Sequence, residues 1–459
     1  MNGEGLFRGV LVKRRAFLAS TAIPLALHPL RSWLPRVGSR PVPSPQQLAW
    51  HRDELALFLH FGVNTFTDRE WGDGKEDPAI FNPASLDARQ WARTAKAAGF
   101  RTLILTAKHH DGFCLWPSKL TNHSVASSPW REGKGDVVRE LVDACKAEGL
   151  KAGLYLSPWD RHEPSYGDSP RYNDHYIGQL TELLTWYGPI REVWFDGANG
   201  EGPNGKRQVY DWERIHRTVR QLQPEAVMFS DAGPDIRWIG NERGVAGDPN
   251  WCTMDPAAVP YAGADGPGII DALQHGDPNG SVWRPGEADV SIRPGWFYHP
   301  AEDNQVRSTE NLMELYRSSV GSNAGLLLNV PPNRDGLLAP GDVTRIGEFG
   351  SALRELLTND LAAGVQGLRD TSELKLVLPA AVTFNHVVIE EDIAHGQCVA
   401  AHSVEAWDGS KWKVIAEGTT VGYKRIHKVP PVTASRVRMV IRSALDAPRI
   451  SRVALYRTA

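Results

Sequence analysis

Glu192-Val193-Trp194-Phe195-Asp196-Gly197-Ala198 carries β-forming and aromatic side chains straight into a lone carboxylate and then a glycine. A short apolar run of this kind is typical of a parallel strand buried on both faces, and the carboxyl end of such a strand is where an α/β barrel puts its chemistry. A strand is rigid, so an Asp at its tip keeps a fixed aim, while the following Gly lets the chain turn away at once. The same residues would also suit an Asp that caps the next helix or opens a turn. The flanking sequence decides between the two.

On both sides the pattern alternates. Leu55 to Gly62 is a buried strand ending in His60 and a glycine, and Ser85 to Ala98 has helical spacing, closed by Gly99. Thr102 to Ala107 is the next strand, followed by a helix capped by Asp136 and stopped at Gly149. Lys151 to Leu156 is a strand, Tyr172 to Trp186 a helix, Trp212 to Gln223 a helix and Val227 to Ser230 a strand. Asp231 to Pro285 is rich in Gly, Pro and Asp and reads as a long irregular segment, of the kind that is usually functional or disordered. Ala288 to Ile292, a helix from Thr309, Gly325 to Val330 and a helix from Asp342 resume the alternation. Repeated strand–helix units imply a parallel sheet, and seven or eight of them in one stretch imply a closed (β/α)8-like barrel over residues 41–358. Beyond Thr358 the texture changes to short strands separated by turns such as Asp408-Gly409, which predicts a C-terminal β-sandwich over 359–459. No aromatic cluster marks a second site there, so we read it as a structural partner of the barrel.

Composition narrows the class. With a net charge of −3, the chain gives no sign of the basic face that a nucleic-acid partner requires. Sixteen Trp point toward carbohydrate, since indole faces stack on the C–H faces of sugars, although a Trp-rich core would give the same count. Cys114, Cys145, Cys252 and Cys398 are far apart with no CxxC, so free thiols are expected rather than a zinc or redox motif. Lys13-Arg14-Arg15-Ala16-Phe17-Leu18-Ala19-Ser20, followed by a short apolar region, resembles a bacterial twin-arginine signal, so residues 1–40 are expected to be a signal peptide and linker for export to the periplasm. No later stretch is apolar enough to span a membrane.

Cleaving a glycosidic bond takes two carboxyl groups, one as nucleophile or base and one as a proton donor with a raised pKa. Asp196 suits the first role, and Glu242 and Glu287, in or beside the long irregular segment, are both candidates for the second. Spacing does not choose between them. His109-His110-Asp111 invites a metal reading, but alternation along a strand would send adjacent residues to opposite faces, so neither metal nor cofactor is expected.

His60-Phe61-Gly62, Lys108-His109-His110-Asp111-Gly112-Phe113, Tyr155-Leu156-Ser157, Trp194-Phe195-Asp196-Gly197 and Leu327-Leu328-Asn329-Val330-Pro331-Pro332 occur in the order and approximate spacing of the α-L-fucosidase family, glycoside hydrolase family 29, which this chain resembles from about Pro45 to Thr358. The resemblance implies an irregular (β/α) barrel with a C-terminal β-sandwich and retaining hydrolysis through a covalent fucosyl-enzyme. It implies Asp196 as nucleophile. Trp238-Ile239-Gly240-Asn241-Glu242 and Asp289 to Tyr298 resemble the subgroup that prefers α-1,3- and α-1,4-linked fucose, in which this Glu is the acid/base, so Glu242 is preferred and Glu287 is the alternative or a contact to sugar hydroxyls. His60, Trp71, His109, His110 and Tyr155 match positions lining the fucose pocket, with Trp238 and Trp296 shaping the pocket or its leaving-group side. The expected substrate is a fucosylated oligosaccharide or glycoprotein glycan, cleaved from its end. A barrel hydrolase for a related sugar such as an α-L-galactoside is the enzymatic alternative, and a catalytically inactive fucose-binding lectin the non-enzymatic one.

Overall fold

The computed structural model describes residues 40–370 and 372–458; the expected twin-arginine signal lies outside the described residues. The first region is built from strands β1 (Leu55–Leu59), β2 (Thr102–Lys108), β3 (Lys151–Leu156), β4 (Glu192–Trp194), β5 (Val227–Phe229), β6 (Arg237–Trp238), β7 (Thr253–Met254), β8 (Val282–Trp283), β9 (Gly286–Ser291) and β10 (Gly325–Asn329). Its helices are α1 (Pro45–Asp53), α2 (Val63–Thr67), α3 (Ala88–Ala98), α4 (Val137–Glu148), α5 (Ser169–Trp186), α6 (Trp212–Leu222), α7 (Pro267–His275), α8 (Thr309–Ser318) and α9 (Pro340–Thr358).

Eight of these strands form one sheet in the order β5-β4-β3-β2-β1-β10-β9-β6. Every pairing in it is parallel. A single parallel bridge from Phe229 to Ile236 joins its two edges, so the sheet is a nearly closed barrel. The helix caps follow from sequence as expected: the Asp136 carboxylate accepts from the Arg139 amide at 2.8 Å, and Gly149 ends α4 in the left-handed conformation at φ 72°.

The sequence predicts a long irregular segment over Asp231–Pro285, but the structure places regular elements in it. It contains β6, α7 and the antiparallel pair β7–β8 that brackets α7. The barrel's eighth strand is only two residues long, too short to leave a periodic signal, and it follows β5 through a turn with no intervening helix.

Two apolar layers hold the barrel. Leu57, Leu103, Leu154, Trp91, Leu141 and Leu180 belong to the core between strands and helices. Phe58, Ile104, Tyr155, Trp194, Phe229 and Leu327 fill the inside. This aromatic filling supports the site from below: Trp194 stacks on Phe229 at 4.0 Å and on Tyr155 at 5.4 Å.

The C-terminal region is an antiparallel sheet of β11 (Leu368–Arg369), β12 (Glu373–Glu391), β13 (Val399–Trp407), β14 (Trp412–Gly418), β15 (Arg425–Ala444) and β16 (Ile450–Tyr456). The long β12 and β15 shift register between Val377 and Val382, which divides each into two halves. Leu374, Leu376, Val404 and Met439 share one core with Val387, Ile389, Val453 and Leu455 across that division. All four cysteines are free and buried.

Candidate active site

A cavity of about 140 Å³ opens at the carboxyl ends of the barrel strands. It is lined by Phe58 and His60 from β1 and its end, Glu70 and Trp71 from the loop beyond α2, His109 and His110 after β2, Tyr155 of β3, Trp194, Asp196 and Ala198 from β4 and its end, Glu242 after β6, Asp289 of β9, and Trp296. A second lobe continues from it past Asp196 and Glu242 and is bounded by Gly197, Asp231 and Trp238.

Asp196 is half-buried at the tip of β4. The Tyr155 hydroxyl donates to its Oδ2 at 3.1 Å and the Ala198 amide to its Oδ1 at 2.7 Å, so both oxygens are aimed. Gly197 serves a purpose beyond turning the chain: a Cβ there would lie 2.2 Å from Asp231 Oδ2 and 2.9 Å from the Gly263 amide, so only glycine lets these segments close beside Asp196. Tyr155 keeps its proton, because burial first and the Asp196 charge second push its phenol well above the ordinary range.

The three histidines are each held by a fixed partner. Asn329 Nδ2 donates to Ser291 Oγ and to the Trp296 carbonyl, so its Oδ1 accepts from His60 Nδ1 at 2.8 Å, and His60 Nε2 is left as an acceptor. Ser157 donates to the Trp159 carbonyl and therefore accepts from His110 Nδ1 at 2.7 Å, which leaves His110 Nε2, 3.9 Å from Asp196 Oδ2, as an acceptor too. His109 Nδ1 faces the Asn64 amide nitrogen at 3.4 Å, which gives the opposite tautomer, with Nε2 the donor. Burial lowers all three, His60 to about 3, so each ring is neutral at neutral pH. Neutral rings of mixed tautomer supply both donors and acceptors to sugar hydroxyls.

One premise of the sequence reading fails here. β2 ends at Lys108, and His109 and His110 lie past it in a turn, so strand alternation does not apply. Both rings line the same cavity, with centroids 4.1 Å apart. Their Nδ1 atoms are taken by Asn64 and Ser157, and Asp111 turns to the Phe113 amide at 2.7 Å.

Glu242 sits on the exposed rim, where the Trp296 indole donates to it at 3.3 Å. Partial burial raises its carboxyl; the Trp296 bond opposes this, and the charges of Asp196 and Glu70 add to it. Trp71 stands at the rim, 57% exposed, edge-on to His110. Trp238 donates to Asp289 Oδ1 at 2.8 Å and lines the second lobe.

Glu287 is not among the cavity residues. It is buried inside the barrel, where it accepts from the Trp194 indole at 2.9 Å and faces Glu192, itself bonded to the Trp50 indole at 3.1 Å. Burial and the Glu192 charge push it well above the usual carboxyl range. Two residues further along β9, on the same face and nearer the strand's carboxyl end, Asp289 does reach the cavity. Period-two counting from Glu287 would have found it. Glu70, Phe58, Trp194, Asp231 and Ala198 also line the cavity or its second lobe without having been assigned to the site; Glu70 is adjacent to Trp71, while nothing in the sequence sets Asp231 apart.

A carboxylate aimed by two donors, a second carboxyl raised at the rim, and neutral histidines beneath aromatic walls, all at the carboxyl end of a parallel barrel, define a glycoside hydrolase. The family model for α-L-fucosidase matches residues 60–355. The chain is 43% identical over 451 residues to α-L-fucosidase 1 of Arabidopsis thaliana, covering 91% of this chain and 87% of that one. Among solved structures it is similar to a glycoside hydrolase 29 family member from a rumen bacterium, at 42% identity and TM-score 0.86, covering 92% of this chain and 78% of that one. It is also similar to a Ruminococcus gnavus GH29 fucosidase in complex with fucose, at 32% identity and TM-score 0.82, covering 93% and 97%. The chain belongs to the α-L-fucosidase family.

Proposed function

We propose that this glycoside hydrolase releases terminal α-1,3- or α-1,4-linked L-fucose from glycans by double displacement, with Asp196 as nucleophile and Glu242 as acid/base. The observation that carries the reading is that these two carboxyl groups line one cavity in contrasting surroundings: Tyr155 and Ala198 donate to Asp196, whereas partial burial raises Glu242. Asp196 attacks the anomeric carbon while Glu242 protonates the departing glycosidic oxygen. Glu242, now ionised, then takes a proton from the water that hydrolyses the fucosyl-enzyme, returning configuration to that of the substrate. His60, His109 and His110 meet the fucose hydroxyls, and Trp71 and Trp296 cover its apolar side. The linkage preference rests on the Trp238–Glu242 segment and on the second lobe, where Asp231 and Trp238 offer contacts to a branched leaving group. Export to the periplasm rests on the Lys13–Ser20 motif.

The test is Glu242→Ala. Turnover of natural fucosides should fall by roughly 10²–10⁴-fold, with a far smaller loss on activated aryl fucosides, whose leaving groups need little protonation. Azide should restore the aryl rate by taking the place of water in the second displacement and yield α-fucosyl azide, with the configuration of the substrate. Equal losses on both substrates, or rescue in Glu287→Ala instead, would remove Glu242 from the role.

A further inference from the structure

His299 lies outside the cavity, yet both of its ring nitrogens face carboxylates: Nδ1 is 2.8 Å from Asp68 Oδ1 and Nε2 is 2.7 Å from Glu70 Oε1. Glu70 is at the same time the acceptor for two consecutive backbone amides, those of Trp296 at 2.8 Å and Phe297 at 3.0 Å. Three donors from one segment, residues 296–299, thus converge on a single carboxylate of the loop that also carries Trp71. Trp296 in turn donates its indole N–H to Glu242. A connected path therefore runs from His299 through Glu70 and the Trp296 backbone to the carboxyl proposed as acid/base.

A neutral imidazole has one N–H and would turn a lone pair toward one of the two carboxylates. Only the doubly protonated ring donates to both. We propose that His299 is a positioning residue that works as an imidazolium: it ties the loop bearing Glu70 and Trp71 to the segment bearing Trp296, and so fixes the indole that holds Glu242 over the cavity. The assignment deepens the reading given above and rests on it for the role of Glu242.

The surroundings agree. The ring is little exposed, with 15% of its side chain accessible, and the charged groups around it are Asp68 and Glu70 on one loop, Glu302 on its own segment, and Arg334, which approaches Asp68 at 3.9 Å. Burial opposes the charge, but the bonds to Asp68 and Glu70 and the charges of Glu70 and Glu302 outweigh it and raise His299 above its ordinary 6.5. A raised folded-state value fixes the sign. The tie is complete below about pH 6.5 and is lost as pH rises through the elevated value.

The experiment uses the full chain with ¹⁵N-labelled histidine rings. At pH 7 both nitrogens of His299 should give imidazolium shifts, assigned by their loss in His299→Gln. In kinetics on an aryl fucoside, whose leaving group needs little protonation by Glu242, KM should rise about tenfold as pH passes the His299 transition with a smaller fall in kcat, and His299→Gln should show the high KM at every pH, as expected for losing charge-assisted bonds. A neutral His299 ring at pH 7, or a His299→Gln enzyme with the parental KM and pH profile, overturns the proposal. The ring shifts are read without turnover, so a parent enzyme lacking fucoside activity would sink the functional reading while the state of His299 is still decided.

Discussion

The barrel carries a pair of carboxyl groups toward each end: Glu192 and Glu287 inside its N-terminal half, Asp196 and Glu242 around the cavity at the other. Chemically the two pairs are interchangeable, and spacing alone does not choose between Glu287 and Glu242. Their surroundings separate them. Glu192 and Glu287 are 1% exposed each, capped by the Trp50 and Trp194 indoles, and burial drives both upward, Glu192 to about 7. Asp196 and Glu242 border open space where a substrate can enter. The lower pair is tuned to keep a proton inside the protein and to fix Trp194, the floor of the cavity. The upper pair has room to exchange one.

The strongest way to break this contrast is to delete the upper carboxylate. Asp196→Ala should lower kcat/KM by roughly 10⁴-fold or more, because it removes the carboxylate proposed to form the covalent intermediate. Its melting temperature should stay within a few degrees of the parent, since a half-buried strand-tip Asp contributes little packing. Retention of more than about 1% of activity on an aryl fucoside would count against its assignment.

The lower pair should behave in the opposite sense, with stability rather than chemistry at stake. Glu287→Leu strands the Trp194 indole N–H and leaves Glu192 without its neighbour, and should cost about 2–4 kcal/mol in denaturant unfolding. Glu287→Gln retains an acceptor for Trp194 and a donor for Glu192, and should stay within about 1 kcal/mol. Glu192 also makes this pH-dependent. Its folded value lies above the ordinary 4.5, so its contribution is full below 4.5 and is lost as pH rises through about 7. Replacing both residues by Gln removes that titration, so the double variant should gain on the parent over that interval. A constant difference would mean the pair does not hold its proton as inferred.

The contrast also marks what sequence could reveal. His60, Tyr155 and Asp196 were legible because each stands at or just past the end of a strong apolar strand, where rigid geometry fixes the aim of a side chain. Glu242 was separated from Glu287 only through resemblance, since its segment follows a two-residue strand and carries no periodic signal. The shared orientation of His109 and His110 was missed because the strand ends one residue before them. Glu287 was put forward and Asp289 passed over for a simpler reason: residue type does not report depth along a strand, and two positions on β9 are enough to move a carboxyl from the barrel interior to the cavity.

Asp289 therefore tests the comparison most finely, because it lines the upper cavity yet has the surroundings of the lower pair. It is 3% exposed, bonded to the Trp238 indole at 2.8 Å, and pushed well above the usual range by burial first and then by the charge of Glu242. If it is a neutral acid at working pH, Asp289→Asn exchanges one uncharged group for another of the same shape and keeps the acceptor for Trp238. The expected loss in kcat/KM is then within about threefold, that of one altered neutral hydrogen bond, and the alkaline limb set by Glu242 should stay in place. Were Asp289 ionised, the substitution would remove a negative charge beside Glu242, ease its deprotonation and move that limb to lower pH. The position of the limb in Asp289→Asn thus decides whether the division between proton-keeping and proton-exchanging carboxyls follows the end of the barrel or the depth of burial.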